Sequence, residues 1–291
     1  MRANLAALCL SILAGAAACP AQTVTPNAAT GSQTDYSSVY CSGFVSDSKV
    51  PDEMRLISGE QANYQVVFSQ GDFVYLSHGQ DKGVKIGDRF MVMRAQADPL
   101  MVDWFKGQAK LLKSLGTHYI DAGHLRVVSV QAKTSIAQVT FSCDYMQRGD
   151  VVRPFEDRPA PPFKDAAAFD HFAPVNGKPV GSVVAAFDFA SGLGRGNAMY
   201  MNLGAAKGVK VGDYVRVFRN QGTLNETAAQ TKGYQYQLYG FGSTPARYEW
   251  KDLPRELLGE AIVLSVSKNA STALITYSSS ELYVGDYVEV E

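Results

Sequence analysis

The chain contains two copies of one sequence pattern, and this internal duplication is the feature that most constrains its fold. Residues 75–94 and 200–219 match at a constant offset of 125, with ten of twenty positions identical. Residues 123–153 and 259–289 match at an offset of 136, with eleven of 31 positions identical. Because the offset grows by 11 between the two blocks, the segment that separates them is longer in the second copy. The sequence therefore predicts a tandem duplication with divergent inserts.

Each copy is predicted to consist of short amphipathic β-strands. Apolar Ala137, Val139 and Phe141 alternate with polar neighbours, a period typical of a half-buried strand. About six such strands per copy, closely spaced, favour a small closed barrel, because closure removes exposed sheet edges. The predicted fold class is therefore mainly β, with two tandem small six-stranded β-barrel-like domains, each with a helical or loop insert.

Gly-Asp pairs recur twice in each copy, and each pair precedes a predicted strand. A glycine tolerates positive φ, and an Asp carboxylate accepts a hydrogen bond from a nearby turn amide. Calcium ligation is the alternative interpretation, but calcium needs several oxygen ligands close together, and each of these Asp residues is isolated. We therefore interpret the pairs as turns, at Gly87-Asp88, Gly149-Asp150, Gly212-Asp213 and Gly285-Asp286.

The N-terminal residues predict export from the cytoplasm. Residues 3–18 carry no charge and are too few to span a bilayer, which needs about 20 residues, but they fit a secretory signal. Cleavage after Ala21 would release a soluble periplasmic or secreted protein. Alternatively, the segment that ends at Cys19 resembles a lipobox, and lipidation of Cys19 would give an outer-membrane lipoprotein.

The predicted domain boundaries follow from the duplication and from composition. Six of the twelve prolines lie between residues 154 and 179, which is typical of a semi-rigid linker. Polar residues precede the first copy and favour disorder there. The predicted organisation is a signal peptide at 1–21, a disordered leader at 22–37, a first domain at 38–153, a Pro-rich linker at 154–180 and a second domain at 181–291.

Cys41 and Cys143 are predicted to form a disulfide bond. Export would place both in an oxidising compartment where such a bond persists. The position equivalent to Cys143 is Ser279, and the residue 125 positions after Cys41 is Ala166, so the second copy lacks both cysteines. Two unrelated buried thiols are the alternative, but the joint loss is what a bonded pair predicts.

The two copies differ most in their inserts. In the first copy, Asp98 and Pro99 predict the start of a helix that runs to about Leu115, with an apolar stripe that either covers a barrel mouth or docks a partner. In the second copy, the insert is rich in aromatic residues that either form a local core or bind a glycan or a protein. The candidate binding residues are Tyr234, Tyr236, Tyr239, Phe241, Arg247, Tyr248 and Trp250.

Composition and motifs exclude several function classes. The 27 basic and 28 acidic residues give a net charge of −1, which disfavours a nucleic-acid partner. The four His are scattered, and the four Cys form no CxxC motif, so no metal site and no cofactor are predicted. No G-x-S-x-G or HExxH motif occurs, so the chain is predicted not to be an enzyme.

The motif Gly79-x3-Gly83-Val84-x2-Gly87-Asp88, followed by an apolar strand and a second Gly-Asp, resembles the C-terminal domain of the bacterial flagellar assembly T protein. The resemblance covers residues 71–153 and 196–290 and implies a periplasmic all-β module of an envelope machine. The layout also looks like uncharacterised secreted bacterial proteins with the tandem module. It implies a non-enzymatic envelope scaffold that binds a protein partner. Peptidoglycan or glycan binding through the aromatic insert is the alternative.

Overall fold

The protein is described by a computed structural model, and within its described residues it is mainly β, as predicted. The described residues are 33–60, 64–96, 103–164, 169–220, 235–238, 246–249 and 254–291.

The first copy and its flanking segments contain two helices and nine strands within the described ranges: α1 (Tyr36–Tyr40), β1 (Phe44–Ser46), β2 (Leu56–Gly59), β3 (Val67–Phe68), β4 (Phe73–Leu76), β5 (Arg89–Gln96), α2 (Gln108–Leu115), β6 (Thr117–Val130), β7 (Ser135–Ser142), β8 (Met146–Gln147) and β9 (Val151–Pro154). The second copy continues with β10 (Val180–Ala186), β11 (Gly192–Leu193), β12 (Ala198–Met201), β13 (Tyr214–Arg219), β14 (Gln235–Leu238), β15 (Ala246–Glu249), β16 (Glu256–Val266), β17 (Ser271–Ser278), β18 (Leu282–Tyr283) and β19 (Tyr287–Val290). A single 3-10 turn lies at the same place in each copy, at Gln80–Lys82 and Ala205–Lys207.

The second copy forms a closed six-stranded barrel in the order β10-β12-β17-β16-β13-β19. Alternate residues of these strands point inward and are fully buried, which is the pattern expected for a small barrel filled by side chains. The inward residues include Met199, Met201, Val215, Val217 and Val263. Its closing ladder pairs β10 with β19 at Val180–Glu289, Gly181–Val288 and Ser182–Tyr287.

The first copy repeats this strand order but forms a seven-stranded sheet that is not closed by a ladder. Its order is β2-β4-β7-β6-β5-β9, and β1 pairs with β6 at the side. The outer strands β2 and β9 meet at one isolated bridge, Arg55–Val151. Its two backbone hydrogen bonds run from the amide of Leu56 to the carbonyl of Asp150 and from the amide of Val152 to the carbonyl of Met54. The closed six-stranded barrel is thus present in the second copy, whereas the first copy is a more open version of it.

The Gly-Asp pairs form the predicted turns, and their geometry repeats closely. The glycines adopt φ of +92°, +93°, +91° and +105°. In each turn the Asp carboxylate accepts a hydrogen bond from the amide three residues earlier, at 2.7–2.8 Å: Lys85 to Asp88, Gln147 to Asp150, Lys210 to Asp213 and Tyr283 to Asp286. A third equivalent pair of turns, which the sequence interpretation did not include, lies at Gly71-Asp72 and Gly196-Asn197.

The disulfide between Cys41 and Cys143 is confirmed. It joins the end of α1 to the loop that follows β7, with a Cα–Cα distance of 5.2 Å. It therefore holds α1 against the outer face of the first sheet. The sequence interpretation of the leader needs a correction here: residues 33–37 are ordered, because Gln33 forms a bridge with Pro162 and Asp35 caps α1.

The helical insert of the first copy packs against the second copy. Leu111, Leu112 and Leu115 of α2 contact Tyr200 and its buried neighbours in the second barrel. The Gln108 side chain donates a buried hydrogen bond of 2.9 Å to the carbonyl of Val184. The two copies therefore pack into one compact unit, Gly31–Glu291.

The predicted start of this helix is wrong. Residues 103–107 form bends and turns, and α2 begins at Gln108. Gly107 precedes it with φ +86°, a left-handed conformation that does not continue a helix. The predicted cap at Asp98 and Pro99 lies outside the described residues.

Candidate functional site

The linker between the copies belongs to the surface of the second barrel. Its last part, residues 169–180, is called the strap here. The strap passes over β17, β16, β13 and β19 in turn before it becomes β10. Phe169 contacts Tyr277 of β17, the amide of Leu257 in β16 donates to the carbonyl of His171, and Ala173 packs on Phe218 of β13.

Two polar anchors fix the strap. Arg255 donates to the carbonyls of Ala173 and Pro174, at 3.0 and 2.7 Å, and pairs with the buried carboxylate of Glu289 at 2.8 Å. The amide of Asn176 donates to the same carboxylate. Because these groups are largely shielded from water, the contacts are stronger than exposed ion pairs.

The strap holds Phe172 in an exposed position. Asp170 forms a tight turn in which its side chain accepts from the amide of Phe172, at 2.9 Å, and its carbonyl accepts from Ala173. Ala173 is buried, with 7% of its surface exposed, whereas Phe172 is 82% exposed. Burying a Phe side chain contributes about 1.5–3 kcal/mol, so an anchored backbone that keeps one in water is not explained by the stability of the fold.

Phe172 is part of a continuous group of rings. Phe169 lies 4.8 Å from Tyr277 and 4.9 Å from His171, between ring centroids, and His171 lies 6.5 Å from Phe172. Tyr277 is 41% exposed. We call Phe169, His171, Phe172 and Tyr277 the aromatic surface.

The aromatic surface lies beside the point where the aromatic insert leaves the barrel. The last rung between β13 and β16 pairs Arg219 with Glu256, and the next residue, Leu257, bonds to the strap. Between Arg219 and Glu256 the chain forms the two-stranded hairpin β14–β15, in which Tyr236 pairs with Tyr248 and Gln237 with Arg247.

The predicted binding residues lie largely outside the described part of the chain. Tyr234, Tyr239, Phe241 and Trp250 are outside the described residues, and so are the side chains of Tyr236, Arg247 and Tyr248. Sequence reasoning missed the aromatic surface, because its four rings come from the linker and from β17. A signal was present: the linker contains three aromatic residues within four positions, at 169, 171 and 172.

The first copy carries a different aromatic cluster, which is closed. His124 is 4% exposed and is surrounded by Tyr36, Tyr40, Phe141 and Phe155. The hydroxyl of Tyr36 lies 2.9 Å from its Nδ1. Burial, together with the nearby positive charges of Arg158 and Arg89, lowers the pKa of His124 to about 4. The ring is therefore neutral at pH 7 and belongs to the core beneath α1.

Buried ion pairs reinforce both copies, and sequence reasoning missed them as well. Arg94 binds Asp150 through two hydrogen bonds of 2.7 and 2.8 Å, and its equivalent Arg219 binds Asp286 in the same way. Burial raises the pKa of Asp286, and the adjacent Arg219 opposes this shift. These carboxylates also cap the repeated turns, so their role is structural.

The described residues contain no group of three or more His, Cys, Asp or Glu placed to hold a metal ion. Within the same ranges, no helix is both long and apolar enough to cross a bilayer. No family model matches the chain, and no curated protein matches it.

Proposed function

We propose that the protein is a non-enzymatic, exported scaffold of the cell envelope that binds a protein partner through the aromatic surface. The observation that carries this proposal is the exposure of Phe172 on a strap whose backbone is anchored on both sides. Rigid, exposed aromatic side chains are typical anchors of protein interfaces, because little conformational entropy is lost when they are buried.

Export is supported by the disulfide and by the N-terminal sequence. The Cys41–Cys143 bond forms and persists in an oxidising compartment. Residues 3–18 have the length and composition of a signal sequence. The periplasm is therefore the proposed location, with lipidation at Cys19 as the alternative route to the same compartment.

The scaffold role is supported by the packing of the two copies. The Arg158 side chain, from the linker, binds the buried carboxylate of Asp121 in the first copy through two hydrogen bonds of 2.7 Å. Phe163, a few residues later, packs on Ile262 and Leu264 of the second copy. One linker is thus fixed to both copies, which keeps the two copies in one orientation.

A photo-crosslinking amino acid at position 172 in the full-length exported protein tests the proposal in cells. We expect a discrete crosslinked protein band at this position, and none when the same amino acid replaces Ile86, which is 72% exposed on the first copy. Phe172→Ser should abolish capture of that protein by an affinity-tagged chain, and Ile86→Ser should not. Equal capture by both variants contradicts the proposal.

Glycan binding through the aromatic insert is the second candidate, because hairpin β14–β15 pairs Tyr236 with Tyr248 and aromatic rings can stack on sugar rings. A sacculus pull-down distinguishes it from the first. Glycan binding predicts that purified peptidoglycan retains the protein, and that changing Tyr236, Tyr239 and Trp250 together to Ser removes this retention at an unchanged melting temperature. That result would favour a glycan ligand over a protein partner. A fall of many degrees in melting temperature would instead assign the insert to a local core.

A further inference from the structure

The first copy contains an open groove at the place where the second barrel closes. After the hydrogen bond from Val152 to Met54, no backbone hydrogen bond joins residues 49–53 to residues 153–156, all of which the structure describes. The opening forms two clefts of about 440 and 350 Å³ that share Pro51, Arg153 and Pro154 in their walls. We call these two joined clefts the seam groove.

One residue contributes directly to the opening. In the second copy the amide of Val290 donates to the carbonyl of Pro179, at 3.3 Å, and extends the closing ladder by one step. The residue at the equivalent position of the first copy is Pro154. Proline has no N–H, so the same hydrogen bond cannot form. The first copy keeps one bridge, Arg55–Val151, where the second copy has three consecutive pairs.

Arg153 stands at the centre of the seam groove. It is half-buried, and its side chain makes no ion pair or hydrogen bond with any residue that the structure describes. The neighbouring cations Arg158 and Lys49 are paired, with Asp121 and Asp52 respectively. A half-buried guanidinium without a counter-charge favours an anionic ligand, because desolvation strengthens the attraction.

The rest of the lining indicates the chemistry beside that anion. Met91 and Met93 of β5 form an apolar floor under the larger cleft. Methionine side chains adapt to varied apolar groups, as expected for a surface that takes a peptide. The acidic residues are either exposed at the rim or engaged in a turn: Asp47, Glu53 and Glu156 in the first group, Asp88 in the second.

In the second copy, the residue equivalent to Arg153 binds an extended segment of the chain. Glu289 corresponds to Arg153, and its carboxylate binds an extended segment, the strap, through the amide of Asn176 and through Arg255. In the first copy the charge at this position is reversed and the described chain supplies no partner for it. The leader residues 22–32 contain no acidic side chain, so this part of the chain does not provide the missing charge.

We propose that the seam groove binds an extended, acidic segment of a partner protein, with one side-chain carboxylate paired to Arg153 and an apolar side chain on Met91 and Met93. Recognition of an extended segment at an incomplete sheet edge is an established mode of peptide binding. The site lies mainly on the first copy, although Ser265, Val266, Ser267 and Ser271 of the second copy also line the larger cleft, and it does not include the aromatic surface.

Fluorescence anisotropy with two labelled, acetylated and amidated peptides tests this proposal on the disulfide-bonded exported protein. One peptide alternates Val and Glu, and the other alternates Val and Gln. We expect the Glu peptide to bind at least tenfold more tightly, and we expect Arg153→Glu to reduce its affinity at least tenfold. Arg126→Glu, at an exposed site outside the groove, should change the affinity by less than twofold.

A second variant tests the width of the groove independently of the charge of Arg153. Pro154→Val introduces the residue that the second copy has at this position, restores the missing N–H and is expected to narrow the groove. It should lower affinity for the Glu peptide while the melting temperature is unchanged or higher. Equal binding of the two peptides, or equal loss with Arg126→Glu, would overturn the proposal.

Discussion

The two copies use the same framework of turns but cover the same outer sheet face with opposite chemistry. In the first copy, His124 and Phe141 lie on this face beneath α1, in an aromatic cluster. The equivalent residues of the second copy are Glu260 and Tyr277, and Lys164 of the linker binds Glu260 and Glu291 there. The two copies thus share the turn residues that shape the backbone. The outer face of each sheet differs, because a different segment covers it: α1 in the first copy and the linker in the second.

The same contrast appears in how each copy is held closed. The second copy is closed by a continuous ladder of strands, whereas β2 and β9 of the first copy meet at a single bridge. A disulfide fixes α1 to the first copy, and a buried ion pair fixes the linker to it. The first copy is thus held by contacts to its flanking segments as well as by its sheet. The predictions below test this division in order of expected effect.

Removal of the disulfide should have the largest effect. Cys143→Ser opens a link between residues 102 positions apart, and a loop of that length corresponds to about 4–5 kcal/mol in the chain-entropy model. The equivalent change in the second copy, Ser279→Ala, removes one hydrogen bond to the Leu258 carbonyl and should cost about 1 kcal/mol. Chemical denaturation measures both, and equal losses would contradict the comparison.

Arg158→Leu should lower the free energy of unfolding by about 3 kcal/mol, because it leaves the carboxylate of Asp121 buried without a partner. Burial already raises the pKa of Asp121, with Arg158 opposing the shift. The second copy has Leu257 at the position of Asp121. The double change Arg158→Leu with Asp121→Leu should therefore recover most of the loss in thermal unfolding. If the double change does not recover the lost stability, the ion pair contributes more to folding than the neutralisation of its two buried charges.

Gly212→Val should lower the free energy of unfolding by about 2 kcal/mol, because a β-branched residue is strained at φ +91°. Gly87→Val should cost nearly the same, since Gly87 has φ +92° and the same turn. Neither position has a close neighbour that would clash with a new Cβ, so backbone strain is the expected cause. Matching denaturation midpoints would support equivalence of the turns, and a large difference would argue against it.

Acid should weaken the first copy through His124. Its pKa in the folded protein is about 4, below the ordinary value of 6.5, so the unfolded chain binds the proton first. Stability that is complete well above pH 6.5 is therefore lost as the pH falls toward 4, and the loss for this group reaches about 2 kcal/mol at pH 5. The slope of unfolding free energy against pH should flatten in His124→Phe. An unchanged slope would show that His124 is not responsible.

Much of the fold could be predicted from the duplication, because equivalent turns require equivalent residues. Gly87 and Gly212 are recognisable because positive φ restricts the choice of residue. The disulfide could be predicted because the second copy lacks the equivalents of both Cys41 and Cys143. The turns at Gly71-Asp72 and Gly196-Asn197 were both missed, because Asn197 stands where the first copy has Asp72 and the pair is therefore not a repeated Gly-Asp.

The candidate site was harder to predict, because its members are distant in sequence. Phe169 and Tyr277 are 108 positions apart and meet only when the strap lies across β17. The pairing of Arg158 with Asp121 likewise depends on the path of the linker. The opening at Pro154 could have been found, since aligning the copies places it opposite Val290 and proline cannot donate a backbone hydrogen bond.

The docking of α2 on the second barrel has a consequence for folding during synthesis. Synthesis proceeds from the N-terminus, so α2 is complete before β10, β12 or β17 exists. Until then the apolar side chains of Leu111 and Leu115 face water, and such transient exposure promotes aggregation. The first copy thus exposes an apolar surface until the second copy has been synthesised. A chaperone that shields nascent chains would be expected to bind at this helix.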